Sequence, residues 1–262
     1  MRVTVVGCAG TFPSATSPAS SYLVEADDDA GRTWHVLLDL GNGALGPLQQ
    51  YCDPAELDLV GLSHLHPDHV ADVSGLFVYL KYHPSGQAGP IEIIGPFGTA
   101  SRLGEAYGLE PGQDMTPQFN VSVWQPGSAV RIGPLELFPT AVEHPVPAYA
   151  VRVIGPSEAD PARQVTFVYS GDSDACDALD QAARNADVLL CEASFLEGRD
   201  DDVRGIHLTG RRAGETAARS GVRMLVLTHI PAWNDPADSL AEARTVYDGP
   251  LGLAHAGLVI SL

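Results

Sequence analysis

His64-Leu65-His66-Pro67-Asp68-His69 gathers three of the chain's nine histidines and one aspartate into a single short run. The apolar segment before it, Leu57-Asp58-Leu59-Val60-Gly61-Leu62, reads as a buried strand. After it, Val70, Val73, Leu76, Phe77 and Leu80 recur at a spacing that predicts a helix over 69–82. The run therefore sits at the carboxyl end of a strand, where α/β folds place their sites. Residues two apart in extended chain point the same way, so His64 and His66 can face one ion. Pro67 turns the chain, and Asp68 and His69 can then face a second. Imidazole and carboxylate are the nitrogen and oxygen ligands of catalytic zinc.

Working outward, three more polar residues stand just past apolar strands. His144 follows Leu135-Glu136-Leu137-Phe138, Asp172 follows Thr166-Phe167-Val168-Tyr169-Ser170, and His229 follows Met224-Leu225-Val226-Leu227-Thr228. A lone histidine after a strand is more often structural, but strand ends converging on one edge would bring all three to the first cluster. Short β-branched segments over 2–7, 20–25, 34–39, 91–95, 119–124, 148–154 and 187–191 read as further strands. Helices are expected near 176–185, 209–220 and 239–247, the second ending at Gly221. Segment 155–163 reads as a hairpin loop, and Asp27-Asp28-Asp29 and Asp200-Asp201-Asp202 as exposed acidic turns. Many strands with flanking helices predict two sheets packed face to face and covered on both sides by helices, an α/β (α+β) arrangement.

Charge narrows the function classes. The chain has 33 Asp plus Glu against 15 Lys plus Arg, a formal net charge of −18. Nucleic-acid affinity rests largely on Lys and Arg contacts to phosphate, so a field this acidic argues against a long polyanion. No apolar run is long enough to suggest a membrane span, and the N-terminus reads directly as a strand with no signal-peptide pattern. The four cysteines are scattered without a CxxC pair, so neither a disulfide framework nor a Cys-type zinc site is expected. Cytoplasmic residence is the default expectation.

The run at 64–69 resembles the HxHxDH signature of the metallo-β-lactamase superfamily. His144, Asp172 and His229 are similar to its later ligand motifs in order and spacing, and Asp39 in Leu37-Leu38-Asp39-Leu40-Gly41 to its early structural aspartate. The resemblance implies one domain over 1–262, a four-layer αββα sandwich, with two zinc ions (manganese being the alternative). It assigns His64, His66 and His144 to one ion and Asp68, His69 and His229 to the other, with Asp172 bridging them. Asp39 would orient ligands through hydrogen bonds.

His207-Leu208-Thr209 is similar to a His-Ser/Thr element of the ribonuclease Z-like branch, where the histidine stabilises the transition state and protonates the leaving oxygen. Gly7-Cys8-Ala9-Gly10-Thr11 resembles that branch's glycine-rich first turn, although tight-turn geometry explains it equally well. Ribonuclease Z carries a protruding tRNA-gripping arm between the equivalents of His144 and Asp172. Here only residues 145–171 lie between them, already committed to two strands and a turn.

The stretches Ser17-Pro18-Ala19-Ser20, Lys81-Tyr82-His83-Pro84-Ser85, Leu190-Cys191-Glu192-Ala193-Ser194 and Leu227-Thr228-His229-Ile230-Pro231-Ala232-Trp233 look closer to small bacterial phosphodiesterases of this fold that open 3′,5′-cyclic nucleotides. A hydroxide made available by two ions would attack phosphorus, with Asp68 and His207 as the catalytic side chains. The expected substrate is a small phosphodiester such as cyclic AMP. A tRNA 3′-processing endonuclease is the runner-up, and a lactonase or thioesterase could use the same ligands but would leave His207 unexplained. His83 and Trp233 are candidates for the substrate pocket, and His35 and His255 read as structural. Relatives of this kind are often dimers, which admits a homodimer.

Overall fold

The computed structural model describes residues 1–84, 89–110 and 112–262, so Ser85 of the stretch 81–85 lies outside the described residues. In chain order the strands are β1 (Arg2–Gly7), β2 (Ala9–Gly10), β3 (Ser21–Asp27), β4 (Thr33–Leu38), β5 (Leu59–Gly61), β6 (Ile91–Gly95), β7 (Phe119–Val123) and β8 (Val130–Ile132). They continue as β9 (Leu135–Val142), β10 (Ala148–Pro156), β11 (Gln164–Tyr169), β12 (Val188–Glu192), β13 (Met224–Thr228), β14 (Ile230–Pro231), β15 (Leu251–Leu253) and β16 (Val259–Ser261). The α-helices are α1 (Leu45–Leu48), α2 (Pro67–Val70), α3 (Val73–Lys81), α4 (Thr99–Tyr107), α5 (Asp177–Ala183), α6 (Gly210–Ser220) and α7 (Pro236–Arg244).

One sheet runs β16-β1-β3-β4-β5-β6-β7 and the other β15-β13-β12-β11-β10-β9-β8, with a two-stranded ribbon of β14 and β2 beside them. Three apolar clusters fill the gaps between layers. Val3, Val24, Val36 and Leu38 of the first sheet meet Val151, Phe167, Leu190 and Val226 of the second. On the outer face of the first sheet Leu37, Val60 and Ile93 pack against Val73, Leu76, Phe77 and Leu103 of the helices. On the outer face of the second, Val168, Leu189 and Leu225 pack against Leu179, Ala213, Ala217 and Ala243. Two-sided burial explains why the central strands read as near-continuous apolar runs. The fold is the four-layer αββα sandwich.

Strand direction places the site. β4, β5 and β6 are mutually parallel, as are β11, β12 and β13. β9 is antiparallel to β10 and β10 to β11, so β9 runs with β11. The carboxyl ends of β4, β5, β6, β9, β11, β12 and β13 therefore open on one edge of their sheets, and Asp39, His64, His144, Asp172, Glu192 and His229 stand there.

The helix expected over 69–82 is two helices, α2 and α3, because another loop inserts between them. Leu40 N–H donates to the His69 carbonyl and the Leu40 carbonyl accepts from Asp72 N–H, taking both groups out of helical pairing. Gly41 permits this contact, since a Cβ there would stand 2.0 Å from the Asp68 carbonyl oxygen. The last helix begins three residues earlier than expected, where Asp235 caps it by accepting from Ala237 N–H and Pro236 takes the first turn. Helix α4, bracketed by left-handed Gly98 and Gly108, was not expected at all.

Candidate metal centre

The ligand-type atoms of His64, His66, His144 and Asp172 lie within 4.8 Å of one another, as do those of Asp68, His69, Asp172 and His229. Asp172 belongs to both groups. Its Oδ2 is 3.6 Å from His64 Nε2 and 3.2 Å from His229 Nε2, and its Oδ1 is 3.3 Å from His69 Nε2. All seven side chains that the sequence proposed as ligands are thus brought together.

Each deep imidazole is anchored at one nitrogen and leaves the other facing the centre. His69 Nδ1 donates to Asp39 Oδ2 at 2.7 Å, and His144 Nδ1 donates to the Ile206 carbonyl at 2.8 Å. Ser63 Oγ donates to Asp39 Oδ2 and so can only accept from His64 Nδ1, 3.1 Å away. Ser20 Oγ meets His229 Nδ1 at 2.8 Å. Such outer contacts fix tautomer and ring orientation in metal sites. Asp39, fully buried, also accepts from Ser63 N–H and the Tyr169 hydroxyl.

Asp39 and His229 are held at φ 59° and 55°, left-handed values that cost a non-glycine residue about 1–2 kcal/mol each. The hydrogen bonds of Asp39 offset that cost. For His229 the compensation comes from Cys8, whose carbonyl takes its N–H, and from Ser194, whose hydroxyl donates to its carbonyl. Gly10 lets β2 close on this segment, because a Cβ there would lie 2.3 Å from the His229 carbonyl oxygen. The glycine-rich first turn thus serves close backbone approach.

The inner atoms do not satisfy one another. His69 Nε2, His229 Nε2 and Asp172 Oδ1 are buried without a hydrogen-bond partner, a state that costs about 1–3 kcal/mol per group. His64 Nε2 and His144 Nε2 both face His66 Nδ1, at 3.0 and 3.3 Å. Both rings carry their proton on Nδ1, so both present lone pairs to His66, whose Nδ1 can donate a proton to only one of them. A cation resolves both defects, and the donor set of imidazoles and carboxylates fits a divalent ion.

Burial pushes the His64, His66 and His144 imidazoles below their ordinary range, into the neutral form that a ligand requires. Burial by itself would raise Asp172, but His229, His69 and His64 around it hold its carboxyl well below the usual range. Burial opposes a charged His69 as well, yet Asp172 and Asp39 hold it well above its ordinary value.

His207 stands at the rim, 4.0 Å from Asp172 Oδ2 and 2.8 Å from Glu192 Oε1. Burial disfavours its charged form, but the Glu192 carboxylate overrides this and pushes its pKa up to about 9. Glu192 is fully buried and is itself held by Ser173 N–H and Ser194 N–H. A buried ion pair steadies the adjoining loop. Asp174 Oδ1 accepts from Arg212 at 3.2 Å, Asp174 Oδ2 from Gly205 N–H, and Arg212 reaches the His207 carbonyl at 3.4 Å. Thr209 then caps α6 by accepting from Arg212 N–H. Sequence reasoning assigned no role to Glu192. Its signal was a single carboxylate inside the apolar run Val188-Leu189-Leu190-Cys191-Glu192-Ala193, an expensive residue to bury unless it is paired.

Neither proposed pocket residue belongs to the clustered ligand groups. The His83 ring packs on Tyr79 at the far end of α3, and Tyr79 donates to Asp53. Trp233 is 61% exposed and packs on Phe12, 5.1 Å between ring centroids. His35 pairs with Glu25 and His255 with the Ala256 carbonyl, away from the centre. A cavity of about 770 Å³ touches Thr228 and Ile230 but none of the clustered histidines. One of about 300 Å³ opens directly against His66. No helix among the described residues is long and apolar enough to cross a membrane.

Comparison with known proteins agrees with this geometry. A model of the β-lactamase superfamily domain matches residues 34–230, and the chain belongs to that superfamily. An uncharacterised protein of Mycobacterium leprae is 42% identical over 259 residues, 98% of this chain and 87% of that one. The probable metallo-hydrolase YhfI of Bacillus subtilis is 31% identical over 269 residues, 99% of each chain. Its crystal structure, titled a metallo-β-lactamase fold protein, superposes with a TM-score of 0.84 at 29% identity, covering 100% of this chain and 99% of that one. A ribonuclease Z of Haloarcula marismortui is 27% identical over 311 residues, 98% of this chain and 96% of that one. Fold, clustered ligands and relatives together define a metal-dependent hydrolase that uses a divalent metal.

Proposed function

We propose that this protein hydrolyses a small phosphodiester, foremost a 3′,5′-cyclic nucleotide such as cyclic AMP, with two zinc or manganese ions bound. His64, His66 and His144 would hold one ion, Asp68, His69 and His229 the other, with Asp172 shared and Asp39 fixing the His69 ring. Two such ions make a water acidic enough to attack near neutral pH and neutralise charge on the phosphoryl oxygens.

The observation that carries the reading is the Glu192–His207 pair beside Asp172. Attack on a phosphodiester expels an alkoxide, a poor leaving group that needs a proton. His207, kept protonated by Glu192, donates it to the departing O3′ as the P–O3′ bond breaks and the water oxygen bonds to phosphorus. Asp68 is assigned to orienting that water. The product is a nucleoside 5′-monophosphate, and His207 regains its proton from solvent. A carbonyl substrate with a good leaving group would make no such demand.

A small substrate is further supported by the connection between His144 and Asp172. β10 ends at Pro156 and β11 starts at Gln164, so the loop between them is too short for an arm. The alignment with the archaeal ribonuclease is longer than this chain's 262 residues, so that enzyme carries segments absent here. The test is turnover of cyclic AMP by purified enzyme loaded with zinc or manganese, read as nucleoside monophosphate. No monophosphate alongside brisk cleavage of a pre-tRNA 3′ trailer would reverse the assignment in favour of tRNA processing.

A further inference from the structure

The cavity beside His66 is built by three strand ends. Leu65 and His66 follow β5, Pro96 and Phe97 follow β6, and Val146 and Pro147 lie just past His144. Its volume of about 300 Å³ is at the lower end of the range for small-molecule pockets, ~300–1,000 Å³. Its wall is mostly apolar, and its one cation is Arg102, on α4.

Two of its residues have no structural task among the described residues. Phe97 is 85% exposed, the most exposed of the large apolar side chains there. It is not loosely held. Thr99 N–H and Oγ1 both donate to the Pro96 carbonyl, closing the turn whose tip carries Phe97. The Arg102 side chain makes no ion pair or hydrogen bond among the described residues, in a chain with acid to spare. A bare ring on a hydrogen-bonded turn and an unclaimed guanidinium thus stand together beside His66.

Resting on the phosphodiesterase reading, we propose that this cavity is the base subsite, and that it takes a purine. The base stacks on Phe97 against the Val146-Pro147 edge, while Arg102 donates to its acceptor edge. Every purine nucleotide presents N7 there, and guanine adds O6, so within the cyclic nucleotides proposed above Arg102 ranks cyclic GMP ahead of cyclic AMP. A second phosphate at this place would be expected to meet several cations, and the wall supplies one.

The experiment compares kcat/KM of the loaded enzyme on cyclic AMP, cyclic GMP and a base-free ribose 3′,5′-cyclic phosphate. Base–aromatic stacking is worth about 1–3 kcal/mol, so Phe97→Ala should lower the ratio of nucleotide to base-free turnover roughly 5- to 150-fold. Arg102→Met should compress the cyclic GMP to cyclic AMP ratio toward one, and Arg102→Lys should restore only part of it. Ratios that stay at the wild-type value in both variants, with metal content retained, overturn the subsite while leaving the phosphodiesterase reading intact. Calorimetric binding of 5′-GMP and 5′-AMP separates the reverse case. Nucleotide binding that depends on Phe97, without cyclic-nucleotide hydrolysis, upholds the subsite and overturns the reaction.

Discussion

The two halves of the metal centre are built differently. In the group His64, His66, His144 and Asp172, His66 and His144 are only partly buried, and His66 borders the open cavity. In the group Asp68, His69, Asp172 and His229 every member is buried, and the backing is dense. Asp39 alone gathers Ser63, Tyr169 and His69. On the proposed two-ion reading, depth and backing make the second group the anchoring half and the first the substrate-facing half. The difference teaches that one strand-end motif, residues 64–69, feeds two environments, because Pro67 opens α2 and turns Asp68 and His69 inward.

The sharpest way to break this division is through the residue both halves share. Asp172→Ala should empty both and lower activity about a thousandfold or more, the loss of several kcal/mol of charge stabilisation. Metal analysis showing one retained ion would mean that the halves do not depend on Asp172 equally.

Next comes the rim. His207→Ala should cost about 10²–10⁴-fold on an alkoxide leaving group and much less on a nitrophenolate, which departs without a proton. Equal losses on both substrates would make His207 a positioning group.

Asp39→Ala addresses chiefly the anchoring half, since its direct imidazole partner is His69 and it reaches His64 only through Ser63. Removing the His69 partner should weaken metal affinity about 10–100-fold and destabilise the fold by about 1–3 kcal/mol per group left unpaired. Calorimetry and metal titration check both, and loss confined to one ion supports the division.

The smallest expected effect is a pH shift. The proposed proton donor must be protonated, so activity should fall as pH rises through the pKa of His207, which Glu192 pushes up to about 9. Glu192→Gln removes that carboxylate and should move the alkaline limb of the kcat profile to lower pH. An unmoved limb would assign it to another group.

The histidine groups were legible in sequence because each ligand follows an apolar strand, and parallel strands end on one edge. Asp172 was legible in the same way, whereas Asp39 and His207 were legible only through resemblance to a family. What lay beyond reach was set by side chains meeting across large separations in the chain. Ser20 on His229 is 209 residues distant, and Tyr169 on Asp39 is 130. Phe97 was missed although it too follows a strand, because an exposed phenylalanine in a turn has no periodic signature. The break between α2 and α3 was invisible for a related reason. Leu40 inserts from a separate segment, and the apolar spacing over 69–82 carries no trace of it.

The proposed centre holds two ions, one in the anchoring half and one in the substrate-facing half. Stepwise chelation of the loaded enzyme, with metal counted by mass spectrometry against remaining phosphodiesterase activity, tests it directly. The prediction is about two equivalents per chain at the start and a release in two phases. His144→Ala should abolish the fast phase and Asp39→Ala should accelerate the slow one. One equivalent per chain in the fully active enzyme, or a single release phase that neither substitution alters, would contradict it.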